Sequence, residues 1–246
     1  MSGKEYRLEI NGFEVRAAFS GATVEEVCLP LLRELTARHF RLGRRMIAFL
    51  AAPPAAGKST LAAFLQRLSR ETPGVTPLQA LGMDGFHHPQ AYLSSHSAVR
   101  DGAEIPMHTI KGAPETFDLP KLARTLERAR TADVLWPAYD RRLHDVVEDA
   151  LTVSGDILLV EGNWLLLDEP LWRALKCDYS AFIGAEEALL RRRLIDRKAR
   201  GGLSREAAEA WVAASDIPNV RRCMGRRRPA DLELWIDGAG RLLRRP

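Results

Sequence analysis

Residues 46–60 read MIAFLAAPPAAGKST: an apolar run, a turn rich in proline and alanine, then Gly57-Lys58-Ser59-Thr60. Leu61, Phe64, Leu65 and Leu68 follow on one helical face, as a core-packed helix requires. Backbone N–H groups at a helix start, beside one ammonium group, are suited to gripping a chain of phosphates. In that chemistry Lys58 reaches the β- and γ-phosphates and the Ser59 hydroxyl binds Mg2+. Pro54, Ala55, Ala56, Gly57 and Thr60 complete the expected nucleotide cradle. Ala52 stands where the first glycine of such loops is usual. Alanine there costs on the order of 1 kcal/mol only if its φ must be positive. The competing reading is a chance Gly-Lys-Ser-Thr at an ordinary helix start.

Chemistry-bearing residues recur after other apolar runs. Asp84 follows LQALGM, where a carboxylate can take the proton of an attacking hydroxyl; the alternative is a plain Asp-Gly turn. Glu161 closes DILLVEG, and an acid after four apolar residues holds Mg2+ directly or through water. His87 and His88 have no second ligand pair at metal spacing, so substrate contact or packing is expected of them. Tyr139, Asp140, Arg141 and His144 crowd together after DVLW. With the stretch KGAPETFD, Lys111 to Asp118, they are candidates for the pocket of a second substrate. Arg193, Arg197 and Arg200 fall at i, i+4 and i+7, ahead of Gly201-Gly202 and a capping Ser204. Such a helix reads as a lid that closes on phosphates and neutralises transition-state charge, or else as a solvated basic face.

The elements that must position these residues follow from the apolar pattern. MIAFLA, LQALGM, DVLW, DILLVEG, YSAFIGA and LELWI lack polar alternation. Helical stretches at 58–70, 118–131, 169–175, 186–200 and 205–214 separate most of them. Continuous apolar strands alternating with helices predict an α/β fold with a parallel sheet covered on both faces. Ligands then gather at the carboxyl ends of the strands. Ahead of this, YRLEINGFEVRA predicts a hairpin turning at Asn11-Gly12. Thr23 and Glu26 have capping-box spacing, and Pro30 is expected to divide the helix that runs to about Phe40. Residues 1–44 are therefore read as a small extension and 45–246 as the main domain, with the lid at about 186–218.

The chain has 246 residues, 46% hydrophobic and 28% charged, which suits one globular domain with an appendage. A net charge of +4, from 36 basic and 32 acidic residues, is too small an excess to argue for nucleic acid. Cys28, Cys177 and Cys223 form no close pair, as expected of a reduced cytoplasmic setting. No stretch approaches the roughly 18 apolar residues of a membrane span, so no membrane partner is expected.

The order of phosphate loop, MDGFH, KGAPETFD, PAYDRRLHD, LLVEGNWLL and arginine-rich lid resembles the phosphoribulokinase/uridine kinase/pantothenate kinase superfamily. It spans roughly residues 46–237 and is closest to a bacterial nucleoside/nucleotide kinase-like, in places fructokinase-like, branch. The resemblance implies a P-loop NTPase fold with a five-stranded parallel sheet, an arginine lid and the N-terminal hairpin and helix. It implies ATP and Mg2+ as cofactors, Asp84 as catalytic base, and Lys58, Ser59 and Glu161 as phosphate and metal ligands. Arg193 and Arg197 become the catalytic lid arginines. His87, Lys111, Tyr139, Arg141 and His144 become contacts to a small-molecule acceptor. KGAPETFD resembles a pantothenate kinase element and Tyr139-Asp140 the uridine kinase acceptor segment. A nucleoside- or pantothenate-like alcohol is thus the first expectation, a sugar such as fructose the second, and an acceptor-independent ATPase or switch the rival class. A homodimer is expected from the resemblance alone.

Overall fold

The computed structural model describes residues 4–10, 13–100 and 102–245. The expected Asn11-Gly12 turn lies outside the described residues. Its flanking strands β1 (Lys4–Ile10) and β2 (Phe13–Phe19) pair antiparallel, Ile10 opposite Phe13. One turn, α1 (Gly21–Thr23), and a π-turn, Val24–Cys28, lead into α2 (Leu29–Leu42). The cap is Ser20, whose Oγ accepts from the Thr23 N–H at 3.0 Å, not Thr23. Pro30 does not divide the helix. It sits in the first turn of α2, just after the π-turn has shifted the ladder so that Leu29 N–H reaches Val24 O. This region lies against the phosphate-loop helix: Phe19 stacks on Phe64 at 3.9 Å and Tyr6 meets the same ring at 4.7 Å.

Next come β3 (Met46–Ala51), α3 (Lys58–Glu71) and β4 (Leu78–Gly82). A one-turn helix, Met83–Phe86, precedes α4 (Gln90–Ser95) and a small hairpin of β5 (Ser97–Arg100) and β6 (Ala103–Pro106). Asp118 caps α5 (Leu119–Ala129), accepting from Lys121 N–H at 2.9 Å. A second hairpin follows, β7 (Val134–Asp140) with β8 (Asp145–Val153), then β9 (Ile157–Gly162) and the single turn α6 (Pro170–Arg173). After β10 (Tyr179–Ala185) the lid region holds α7 (Glu187–Arg200), α8 (Arg205–Trp211), a π-turn and α9 (Ile217–Gly225). β11 (Leu232–Ile236) and β12 (Leu242–Arg244) end the chain.

The central sheet has the order β12-β11-β10-β3-β9-β4. Five strands are parallel, as expected, and the short β12 adds an antiparallel edge. β3 is buried along its whole length, and its side chains alternate between two cores: Met46, Ala48 and Leu50 face one, Ile47, Phe49 and Ala51 the other. That two-sided burial, shared by β9 and β10, is why no polar alternation marks these strands. DVLW is a correction. It belongs not to this sheet but to β7, where Val134 and Trp136 are buried and Leu135 is 52% exposed. A period-two strand with one wet face had been hidden in a four-residue apolar window.

The amino-terminal end of the sheet is fixed by Asp178. Its carboxylate accepts from Ile47 N–H at 2.9 Å, Arg44 at 2.6 Å and Arg130 at 2.9 Å. Asp178→Ala, which strands two arginines and a strand N–H, is expected to cost about 3 kcal/mol in denaturant unfolding. A loss under about 0.5 kcal/mol, the level of an exposed pair, would show that the sheet end is held otherwise.

Candidate active site

β3 delivers the chain into the loop at residues 52–57, and α3 carries it away. Pro54 and Ala56 are buried and shape the turn, whereas Gly57 is exposed at its crest. The strain anticipated at Ala52 falls elsewhere. Ala52 is fully buried with an ordinary φ, and Ala55 takes φ 66°. That conformation costs an L-residue on the order of 1 kcal/mol. Gly57 takes φ 84°, and a Cβ there would meet nothing within 4 Å, so the demand for glycine is conformational rather than steric. Lys58 Nζ lies 3.7 Å from Glu161 Oε2, and Ser59 Oγ donates to Glu161 Oε1 at 2.7 Å. Burial raises the Glu161 pKa; Lys58 opposes the rise and Asp84 adds to it. Among the described residues no cluster of three or more His, Cys, Asp or Glu side chains forms a metal cage. A hydroxyl and a carboxylate this close are hard oxygen donors that fit Mg2+, which takes few protein ligands when phosphates supply the rest.

Asp84 stands beyond β4 in the turn Met83–Phe86 and is held there by close backbone approach. A Cβ on Gly85 would lie 2.0 Å from Pro137 O of β7, and one on Gly162 would lie 2.7 Å from Met83 Cβ. Trp136 Nε1–H donates to Gly82 O at 2.9 Å and locks the same corner. Asp84 is half-buried, and its charge acts on Glu161, His87 and Arg197 alike, which places it on the loop side of the sheet. His87 packs beside it, 9% exposed, stacked on Phe117 at 3.8 Å with Nδ1 3.2 Å from Thr116 O. The ring supports the Asp84 turn more than it lines an open pocket.

The two lid arginines diverge. Arg193 Nη1 donates to Ala55 O at 3.3 Å and so braces the phosphate loop. Arg197, exposed to the cleft, carries the fields of Asp216, Arg141 and Asp84. Asp216, at the lid π-turn, also lies 3.8 Å from Lys198. Nothing in the sequence marks out Asp216, an acid within a helical run and away from any strand end.

A cavity of about 510 Å³ runs from Ser59 and Glu161 past Gly82 to Tyr139, Asp140 and Leu151. At its rim Lys111 Nζ donates to Gln90 Oε1 and His144 O, each at 2.8 Å, and sits 5.1 Å from the Tyr139 ring centroid. His144 thus enters through its carbonyl, and its φ is 54°. Arg141 is exposed and close enough to act on both Glu161 and Arg197. Behind this rim Glu115 pairs with Arg100 at 2.8 Å and with Arg222 of α9 at 2.6 Å, and Arg222 also grips Glu169.

A phosphate loop on the central parallel strand, a strand-end carboxylate pair and a helical lid define a P-loop kinase architecture. No protein-family model matches the chain. It is 44% identical over 95% of its length to "Uncharacterized protein YggC" of Escherichia coli, covering 96% of that protein. It is 32% identical to "Putative uridine kinase C227.14" of Schizosaccharomyces pombe, covering 68% of this chain and 72% of that one. A Bradyrhizobium pantothenate kinase is 33% identical, over 71% of this chain and 61% of that one. The crystal structure of a "putative fructose transport system kinase" from Silicibacter superposes with a TM-score of 0.74 at 32% identity, over 87% of this chain and 99% of that one. The chain belongs to the phosphoribulokinase/uridine kinase/pantothenate kinase superfamily of P-loop kinases. Among the described residues no helix is long and apolar enough to cross a membrane.

Gly85→Ala is expected to push Asp84 off β7, costing about 1–3 kcal/mol and lowering turnover. Wild-type stability and rate in this variant would show that the corner yields freely. Burial lowers the His87 pKa, with Asp84 opposing. The folded state therefore resists a proton that the unfolded chain accepts near pH 6.5. Stability is full above that pH and falls as pH drops below it. His87→Gln should flatten the acid limb of a Tm-against-pH curve; an unchanged limb would assign acid sensitivity to other groups.

Proposed function

We propose that this chain transfers the γ-phosphoryl group of ATP, with Mg2+, to an alcohol of a nucleoside- or pantothenate-like metabolite. The observation that carries the reading is the Lys58–Ser59–Glu161 cradle beside a cavity of metabolite size, with Asp84 in the turn that follows the neighbouring strand. Asp84 orients the acceptor hydroxyl and takes its proton as the new P–O bond forms. Lys58 and the Gly57-side amides hold the departing diphosphate, and Arg197 neutralises charge on the transferring group. When bound at Ser59 and Glu161, Mg2+ supplies Lewis-acid charge to the phosphates. Arg193 keeps the loop in shape through Ala55 O. Lys111, Tyr139 and Arg141 contact the acceptor, with His87 and the His144 backbone behind them.

A sugar acceptor is the second reading, favoured by the name of the Silicibacter neighbour, which covers nearly all of that chain. The partner in either case is a small molecule rather than nucleic acid or membrane. Cytoplasmic residence and a homodimer belong to the same proposal.

ADP release across nucleosides, pantothenate and hexoses tests it. One compound should stimulate release well above the ATP-only rate; a flat rate would favour an ATPase or switch. Asp84→Asn should leave ATP affinity nearly unchanged and cut turnover by about 10²-fold or more. Turnover within about twofold of wild type, against the rate a general base contributes, would remove Asp84 from proton transfer. Lys58→Ala should weaken both ATP binding and rate.

A further inference from the structure

No step above is assigned to the N-terminal hairpin and helix, yet Glu9 and Ile10 of β1 reach the acceptor cavity and the end of β2 borders the phosphate loop. A second cavity, of about 340 Å³, opens on the other side of the cradle from the acceptor cavity. Two consecutive residues of the first turn of α3 divide the space: Ser59 lines the acceptor cavity and Thr60 lines this one. A phosphate chain lying on the Gly57–Thr60 turn therefore has an opening at each end. If the transferring end points to Ser59, Glu161 and Asp84, the remainder of the donor lies in the smaller cavity. Its volume falls in the range of small-molecule pockets.

The walls of that cavity are unusual in their origin. One is the turn between β11 and β12, another is the phosphate loop with Arg193, and the third is Ala17 to Ser20 with Thr23. Among the described residues β2 pairs only with β1, so the outer row of its N–H and C=O groups has no strand partner. A planar heteroaromatic ring carrying both donors and acceptors is the ligand that such a backbone edge can read. Thr23 is 7% exposed, and its Oγ1 accepts from Ser20 Oγ at 3.0 Å, which leaves its own hydroxyl proton for a ligand acceptor. Phe19 stacks on Phe64 of α3, so this wall is packed onto the phosphate helix.

We propose that Ala17–Thr23 forms one wall of the nucleobase pocket of the phosphoryl donor and helps set which base is accepted, through the free edge of β2 and the Thr23 hydroxyl. This rests on the reading of the Lys58 loop as a nucleotide site. Residues before the first parallel strand are then part of the donor site.

Amide hydrogen exchange on the full chain, with Mg-ATP or Mg-tripolyphosphate as probes, tests the assignment. Both probes should slow exchange at 53–60, and only Mg-ATP should slow exchange at 17–23. Protection at 53–60 by both, with 17–23 unchanged under Mg-ATP, overturns the proposal while leaving the nucleotide site standing. No protection at 53–60 by either probe overturns the nucleotide reading and the proposal with it. Thr23→Val should weaken ATP binding about fivefold, the worth of one hydrogen bond near 1 kcal/mol, with tripolyphosphate affinity unchanged and Thr23→Ser near wild type. Equal loss of ATP and tripolyphosphate affinity in Thr23→Val would make its role merely structural.

Discussion

A carboxylate withdrawn from water at the end of β9 organises this molecule. Glu161 is 7% exposed and its surroundings disfavour its charge; Lys58 and Ser59 contact it and offset that cost, with Arg141 adding to them from further off. Their positions follow from the sheet register. Glu161 stands opposite Leu50 of β3 and Gly82 of β4, so the strand feeding the phosphate loop and the strand feeding Asp84 flank it on either side. Gly82 leaves Oε1 room at 3.7 Å from where a side chain would begin. A one-residue slip of β9 would turn Glu161 to the opposite face and dismantle the cradle.

Much of this was legible in the sequence because buried parallel strands write themselves as unbroken apolar runs. β3 and β9 were visible that way, and β4, β10 and β11 as mostly apolar runs interrupted by Gln79, Ser180 and Glu233; the reactive residues followed the carboxyl ends of β3, β4 and β9. What stayed hidden depended on geometry rather than composition. β7 was placed in the wrong sheet because the solvent exposure of Leu135 cannot be read from its type. Ala52 drew suspicion that belonged to Ala55, since a loop pattern states which residues are present and not which φ each adopts. Arg193 and Arg197 share a helical face, yet one reaches a loop carbonyl and the other the cleft. The contact between Phe19 and Phe64, which brings the N-terminal segment to the phosphate-loop helix, joins residues too far apart for any local period to report.

The acceptor side shows how two sequence elements become one surface. Lys111 from the first rests over the ring of Tyr139 from the second, and its ammonium is tied to the His144 carbonyl. The two stretches, which resemble different branches of the superfamily, are thus fused through a cation–π contact and a hydrogen bond. Arg141 and Arg197, both exposed, add positive charge close by.

The Glu115–Arg222 pair carries a consequence for how this enzyme class diversifies. Glu115 belongs to the acceptor element and Arg222 to a lid helix more than a hundred residues later, and Arg222 is further committed to Glu169. Transplanting the acceptor element into a cousin would sever an ion network whose remaining members sit on α9 and before α6. The 111–118 stretch is therefore not a free-standing cassette. A change of charge at Glu115 would be felt on α9 and at Glu169 as well.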